Sequence, residues 1–595
     1  MERWVELDPN SVLVQALRQK APEYFDLVFP KQNPEQRLEF GTAGLRAEFG
    51  PGLLRMNEVV VMQTCFGILY KLLSEFGPDQ LRERGICVGY DHRESKEWGL
   101  SSKRFALVAA AVFQPHTKAI NVFDSVNPTP FVPFGVQEFG SLAGFMFTAS
   151  HNPKQDAGFK VYWSNACQIT SPLDTEIRKL IMEHLGDKDL SQCIRAVAQT
   201  SEQALCDKYL TKGLFANIQA KYVAAVSTSL YRQPVSVLSH HRQSKICYTA
   251  MHGCGQHTAM KVFERFGLSN TIVPVPSQAE PDFNFPTVPF PNPEEVGALD
   301  VAMHFASQQQ PIQCELILAN DPDADRLGVA EAINSDGEGK WYTLSGDEIA
   351  MLLAWWEIKH MDRGNGKPKA MVVSAVSSAF LQAMGKAHGV EVFEALTGFK
   401  WIGAKAIELR KRGGYQVLLS YEEAIGFCVG SNVCDKDGMS AAAVFAQLYL
   451  DLRSRGLTCL DKLDELRKQH GYYLTQNLYL KLLPVQQQAL FAQLRQYPQV
   501  VGQKRPRNVV RIRDLERRID TQFPGQDPAL PFASNMITFF LDEGERITLR
   551  ASGTEPKLKY YVECVGSTLD SAKEKCKQVV EDVVLGDLLR VKSKA

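Results

Sequence analysis

The chain carries no excess charge. Its 66 Lys and Arg stand against 67 Asp and Glu over 595 residues, a net charge of −1 at pH 7. That balance leaves no electrostatic footprint for nucleic acid or an anionic membrane, so any basic residue that binds an anion acts locally. The 13 cysteines include no CxxC pair and no zinc-ligand spacing. They read as reduced, mostly buried thiols of a cytoplasmic protein. No apolar h-region follows the opening Met1 to Leu7, which argues against a signal peptide. The apolar runs FALVAAAVF (105–113) and IAMLLAWW (349–356) fall well short of the ~20 residues of a membrane span and read as buried helices. No residue-level repeat is visible.

What is there is ordinary globular composition, 45% hydrophobic and 22% charged. At roughly 100–200 residues per domain, the length predicts three to five domains. Apolar residues at helical spacing over 59–77 end in Gly-Pro, a stop signal. A helix is expected over 102–113, with strands in 85–91, 119–124 and 140–150. Strands alternating with helices imply a parallel or mixed sheet with helices outside. The same plan recurs in KICYTAMHGCG (245–255), CELILAN (314–320), KAMVVSAVSS (369–378) and YQVLLSYEEAIG (415–426). Each is a buried strand delivering a polar loop at its carboxyl end, the edge where open α/β sheets place ligands. The proline-rich stretch 273–293 reads as a long surface loop, and such loops are often functional. Beyond 461 helical segments and a polar connection (502–530) lead to a hairpin, a loop and a strand, an α+β domain.

The sharpest local signal is ANDPDADRLGVAE (319–331). In an extended chain, Asp321, Asp323 and Asp325 at i, i+2 and i+4 would point one way. Unpaired they would repel; a hard divalent cation such as Mg2+ resolves this and leaves positions for water or a phosphate oxygen. A phosphate clamp should then exist. LRASGTEPKLK (549–559) offers the hydroxyls and backbone of Ser552, Gly553 and Thr554 beside Arg550, Lys557 and Lys559, although an ordinary turn with solvated lysines has the same look. FGTAGLR (40–46) offers Thr42 and Arg46. Glu422 and Glu423 in SYEEAIGF could accept from vicinal sugar hydroxyls, or be carboxylates at a helix N-terminus; Lys436 lies near in sequence. In GFMFTASHNP (144–153) an apolar strand ends in Ser150, His151 and a rigid Asn-Pro turn. His92 and His252 have no second histidine at metal-ligand spacing and read as hydrogen-bonded loop residues. Cys254 reads as packing.

Together these segments resemble the α-D-phosphohexomutase superfamily over nearly the whole chain. TASHNPKQDAGFK is similar to its phosphoserine loop, DPDADR to its magnesium loop, EEAIG to its sugar loop and RASGTEPK to its phosphate loop, in the family's order. FGTAGLRAEFGPGLLRMN, TGFKWIG and SGTEPKLKYY most resemble the eukaryotic phosphoglucomutase-2 type, a branch that includes phosphopentomutases and a glucose 1,6-bisphosphate synthase.

The resemblance implies four domains around a cleft: a phosphoserine-loop α/β domain (1–205), a magnesium-loop α/β domain (206–335), a sugar-loop α/β domain (336–460) and a C-terminal phosphate-binding α+β domain (461–595). It implies that Ser150 carries a phosphoryl group and joins Asp321, Asp323 and Asp325 as a Mg2+ ligand. His151 and Asn152 would shape the loop, and Lys160 and Arg46 would assist proton transfer and balance charge. Thr42, Arg326, Thr397, Gly398, Glu422 and Lys436 would contact substrate, with Arg550, Ser552, Gly553, Thr554 and Lys557 on the idle phosphate. The implied enzyme is a monomeric, cytoplasmic phosphotransferase acting on sugar phosphates. Glucose 1,6-bisphosphate or ribose 1,5-bisphosphate would be its activator.

Two departures stand out. Hexose-preferring relatives carry Glu-x-Ser in the sugar loop, where this chain has Ala424; a lost hydroxyl tilts the expectation toward pentose phosphates. An Asn is usual before the glycine in QDAGFK, and Ala157 in its place is expected to loosen a turn. A bisphosphate synthase using 1,3-bisphosphoglycerate and a catalytically silent scaffold are the other readings.

Overall fold

The computed structural model describes residues 11–20, 36–41, 44–232, 244–308, 314–333, 340–551 and 557–589. The chain divides into two units, Met1–Ser345 with Ala424–Gly456, and Gly346–Glu423 with Leu457–Ala595.

In the first unit, two mixed sheets follow one plan. The first runs Leu45–Glu48, Asp156–Trp163, Ala143–Phe147, Ile86–Tyr90, Ile120–Val122. Ile86–Tyr90 is parallel to both neighbours, and Asp156–Trp163 closes the other side antiparallel. Every residue of Ile86–Tyr90 and Ala143–Phe147 is buried, as parallel strands covered on both faces require. The second sheet runs Lys340–Thr343, Gly328–Ile333, Cys314–Ala319, Lys245–Thr249, Ile272–Pro274, again parallel at its centre with an antiparallel flank. In both sheets the strands that carry polar loops are neighbours, so their carboxyl ends share an edge.

The helix expected over 102–113 forms as Ser102–Phe113, capped by Ser101 accepting from the Arg104 N–H at 3.0 Å. The helix Glu58–Arg84 continues past Gly77, whose φ of +79° breaks the helical path where the Gly-Pro stop was read. By length and composition it could cross a membrane, but 67% of its apolar window is buried inside the protein. It packs on Ser102–Phe113 and Leu173–Glu183. Beyond the strand Ile272–Pro274 and a short 3₁₀ turn, Pro276–Gln278, the proline-rich stretch forms turns, as expected.

In the second unit, Val390–Ala395, Lys369–Ser374 and Gln416–Glu422 are parallel neighbours. An antiparallel sheet follows, with Tyr472–Lys481, Lys557–Gly566, Arg546–Ala551, Met536–Leu541, Arg507–Asp514 and Val500–Val501 in order. The hairpin and strand expected there are present. The polar connection read over 502–530 is not all connection: Arg507–Asp514 is a strand. Its charges hid it, and they are paired, Arg511 with Asp520 at 2.6 Å and Arg513 with Glu394 at 2.7 Å. The two units together give the α/β and α+β architecture expected.

Candidate active site

Ser150 lies just past the carboxyl end of Ala143–Phe147, 3% exposed, with φ +54°. A non-glycine residue in the left-handed region is costly and is held there by its surroundings. Here the Ser150 N–H donates to Thr148 Oγ1 at 2.8 Å, and Asn152 Nδ2 donates to Asp156 at 2.8 Å across the turn. Ser150 Oγ donates to Asp321 Oδ2 at 2.9 Å and lies 3.2 Å from His151 Nδ1. Burial, then the nearby Arg326 and Arg46, pushes His151 well below the usual imidazole range. Arg46 Nη1 donates to Asn152 Oδ1 at 3.1 Å. Ala157 does not sit in a turn, contrary to expectation. It is a fully buried strand residue opposite Ala47, and Gly158 beside it passes so near the Thr148 carbonyl that a Cβ would fall 2.4 Å from that oxygen.

Asp321, Asp323 and Asp325 follow Cys314–Ala319 and are 0%, 0% and 1% exposed. They do not converge by strand alternation, as the spacing had suggested. The chain turns instead, with Ala324 at φ +57° and its N–H on the Asp321 carbonyl at 2.8 Å, while Asp321 Oδ1 accepts from the Arg326 N–H at 3.0 Å. A turn bonded to its own first carboxylate brings together what an extended chain would have spread. One ligand atom from each carboxylate falls within 4.8 Å of the others.

Lys160 Nζ bridges Asp323 and Asp325 at 2.7 and 2.8 Å, and Lys436 Nζ lies 3.3 Å from Asp325. Lys436 is thus grouped with the aspartates. Gly438 makes that approach possible: a Cβ there would meet the Arg326 carbonyl at 2.1 Å. Burial, with Asp323 and Asp325 beside it, holds Asp321 well above the usual carboxylate range. Burial works the same way on Asp325, but Lys160, Lys436 and Arg326 outweigh it and hold that carboxyl low. Asp323 Oδ1 and Asp325 Oδ1 are buried without a hydrogen-bond partner. Three buried hard oxygens, two of them unmatched, fit a divalent cation of the Mg2+ kind.

The second unit carries the other expected contacts. Thr397 and Gly398 follow Val390–Ala395, Gly398 with φ +98°, and Glu422 ends Gln416–Glu422, so all three lie at one edge of the parallel strands. Glu422 and Glu423 stand at a strand end, not a helix N-terminus. Glu423 accepts from Ser374 Oγ at 2.7 Å; burial, then Glu422, pushes it up to about 7. Arg550 lies one residue before the end of the strand Arg546–Ala551, beside Tyr561, and Lys557 Nζ lies 4.9 Å from the Tyr479 ring centre. Thr42, Ser552, Gly553 and Thr554 lie outside the described residues. Arg326 Nη1 meets Glu294 at 3.2 Å.

His252 is the hydrogen-bonded loop residue expected, its Nε2 2.8 Å from Thr287 Oγ1. His92 is fully buried, and burial lowers it to about 4 against the opposing pull of Asp91 and the Asp282 backbone. The Cys254 thiol rests against the carbonyls of Asn127 and Pro322 at 3.2 and 3.1 Å. Thr129 had no signal in sequence, whereas Asp435 stands next to Lys436 in DKDG. Thr129 donates its hydroxyl to Asp323 Oδ2 at 2.6 Å and its N–H to the Asp323 carbonyl at 2.8 Å. Asp435 accepts from Tyr162 at 2.7 Å. Arg93 had a signal too, as the charge in the loop GYDHR.

The fold and this site fit an enzyme that transfers a phosphoryl group with a divalent cation. Four segments match the phosphoglucomutase/phosphomannomutase family: α/β/α domain I over 37–185, α/β/α domain II over 220–333, α/β/α domain III over 345–468 and the C-terminal domain over 503–582. The chain belongs to that family. It is 36% identical to a human phosphopentomutase, over 98% of this chain and 94% of that one. It is also 36% identical to a mouse glucose 1,6-bisphosphate synthase, over 92% and 87%. The fold is shared with a Paramecium phosphoglucomutase, parafusin, in its open form. That match has a TM-score of 0.60 and 15% identity, over 92% of this chain and 95% of that one.

Proposed function

We propose that this enzyme moves a phosphoryl group between the 1- and 5-positions of ribose and deoxyribose phosphates, with glucose 1- and 6-phosphates as slower substrates. The observation that carries the reading is Ser150 Oγ, held in a left-handed turn 2.9 Å from a buried aspartate of the triad. Phospho-Ser150 donates to the free sugar hydroxyl: the P–Oγ bond breaks, a P–O bond to the sugar forms, and the hydroxyl proton ends on the released Ser150 Oγ. The bisphosphate reorients, and Ser150 Oγ takes back the other phosphoryl group. Bound by Asp321, Asp323, Asp325 and the phosphoserine, Mg2+ would supply charge neutralisation. Lys160 and Arg46 add positive charge and assist proton transfer. In phosphoryl transfer the protein chiefly positions the partners. Glu422, Thr397, Gly398, Lys436, Arg326 and Thr42 bind the sugar phosphate; Arg550, Lys557 and the segment 552–554 hold the idle phosphate. In this reading the enzyme works as a cytoplasmic monomer, divided at 205/206, 335/336 and 460/461, with a trace of bisphosphate as activator.

Ala424 supports the pentose preference, since it offers no hydroxyl to a hexose. The synthase resemblance at equal identity supports a second reading, phosphoryl transfer from 1,3-bisphosphoglycerate to glucose 1-phosphate. Parallel assays with Mg2+ on ribose 1-phosphate and glucose 1-phosphate, each with catalytic glucose 1,6-bisphosphate, followed by the glucose 1-phosphate reaction with 1,3-bisphosphoglycerate, separate the two. Faster turnover of ribose 1-phosphate is expected. Bisphosphate accumulating in stoichiometric amount only with the acyl phosphate would favour the synthase.

A further inference from the structure

Arg93 is 1% exposed and follows the strand Ile86–Tyr90. Its guanidinium donates to four backbone carbonyls of the Ser150 loop: Nη2 to Ser150 at 2.7 Å and Asn152 at 2.6 Å, Nη1 to Pro153 at 2.8 Å and Asp156 at 3.1 Å. Asp91 orients it, Oδ2 lying 3.2 Å from Nε and Oδ1 accepting the Arg93 N–H at 3.0 Å. Phe285 covers the guanidinium, its ring centre 5.1 Å from Cζ. Phe285 belongs to the proline-rich stretch, is 1% exposed and has φ +47°, so that segment too is held in a costly conformation. The ring stands edge-on to His92 at 5.5 Å.

We propose that Arg93 is a positioning residue that fixes Ser150 Oγ for phosphoryl transfer, and that Phe285 locks Arg93, so that the proline-rich stretch governs the reaction without touching substrate. The proposal rests on Ser150 being the phosphoryl carrier. Four carbonyls converging on one point need a planar fork of N–H donors; an ammonium offers three donors from a single atom and cannot span them. The loop's own backbone bonds, Asn152 N–H to Ala149 and Asp156 N–H to Pro153, and the side-chain contacts of Ser150 and Asn152 each tie neighbours in the loop, whereas Arg93 gathers Ser150, Asn152, Pro153 and Asp156 onto one group.

The test uses the full-length enzyme with Arg93→Lys, Arg93→Gly, Phe285→Leu and the double variant Arg93→Lys/Phe285→Leu. A displacement of about 1 Å at a reacting group costs roughly 10²-fold. Arg93→Lys is therefore expected to lower kcat on that order with KM nearly unchanged, and Phe285→Leu to lower it less, again in kcat alone. The double variant should be no slower than Arg93→Lys, because both act through one group. Guanidinium ion should restore part of the Arg93→Gly rate and none of the Ser150→Ala rate. Wild-type kcat in Arg93→Lys, or equal proportional changes in kcat and KM, would overturn the proposal; Phe285→Leu tests it even if an Arg93 variant does not fold. Phosphopeptide mapping separates the two claims. A wild-type enzyme quenched during turnover with no phosphoryl group on Ser150 overturns both, whereas a phosphorylated wild type beside a fully active Arg93→Lys overturns this one alone.

Discussion

The two units each bury a cluster of charges, and the clusters differ in how they close. In the second unit, Asp347 accepts from the Ser378 N–H at 3.0 Å, Tyr421 at 3.0 Å and Thr475 at 2.5 Å. Glu563 accepts from Ser378 Oγ at 2.7 Å and the Ala379 N–H at 2.8 Å, and it meets Arg546 at 3.0 Å. No buried oxygen of either carboxylate lacks a partner. In the first unit, Asp323 and Asp325 each leave one buried oxygen unmatched, and the backbone around them enters the left-handed region at Ser150 and Ala324. The contrast lies in the carboxylates: unmatched donors occur in the second unit too, at Arg513 Nε and Nη2, but a cation needs free carboxylate oxygens, and of these two clusters it is the aspartates of the first unit that offer them. Burial and charge alone would not separate the two.

The comparison breaks most sharply at Ser150. Ser150→Ala should abolish mutase turnover while the thermal unfolding midpoint stays near wild type, because the hydroxyl contributes little to packing; a full rate would end the mechanism. Next is Asp323→Asn, which should raise the Mg2+ requirement strongly or end activity. It also weakens the buried pair with Lys160, which keeps Asp325 as a second partner, so its loss of stability should be smaller than that of Glu563→Ala. Activity indifferent to both the substitution and a chelator would mean the triad holds no metal.

The opposite pattern is expected in the closed cluster. Glu563→Ala removes the nearer carboxylate of the buried Arg546 and leaves it Glu394, 3.5 Å away, and the carbonyls of Ala375 and Ser377. The loss should be about 3–5 kcal/mol in denaturant unfolding, as for other broken buried pairs. A near-neutral result would mean the cluster is not structural.

The smallest effect is a pH dependence at Glu423. Its carboxyl, raised to about 7 from an ordinary 4.5, keeps in the folded state a proton that the unfolded chain has already lost between those values. Stability contributed by this group therefore falls as pH rises through that window. Glu423→Gln should be more stable than wild type above pH 7 and gain nothing below pH 4.5, measured by unfolding at each pH; a constant difference would refute the shift.

Much of this was legible in the sequence because strand and loop signals are local. The strands ending before Ser150, Asp321 and Glu423 lie within the segments where apolar runs meet polar turns. The aspartates were found for a geometric reason that proved wrong: a turn, not alternation, brings them together. Thr129 was invisible because it reaches Asp323 across 194 residues of chain, and nothing near it in sequence marks that contact. Arg93 was visible only as a charge in a loop, since its four acceptors are main-chain carbonyls, which every residue carries. The strand Arg507–Asp514 was masked by arginines whose partners lie elsewhere.

The central claim is that Ser150 carries the phosphoryl group. Its most direct test is mass-spectrometric mapping of enzyme quenched during turnover with Mg2+ and glucose 1,6-bisphosphate. The account predicts one added phosphoryl group on the peptide containing Ser150, absent in Ser150→Ala. A phosphoryl group on another residue, or turnover with none, would contradict it.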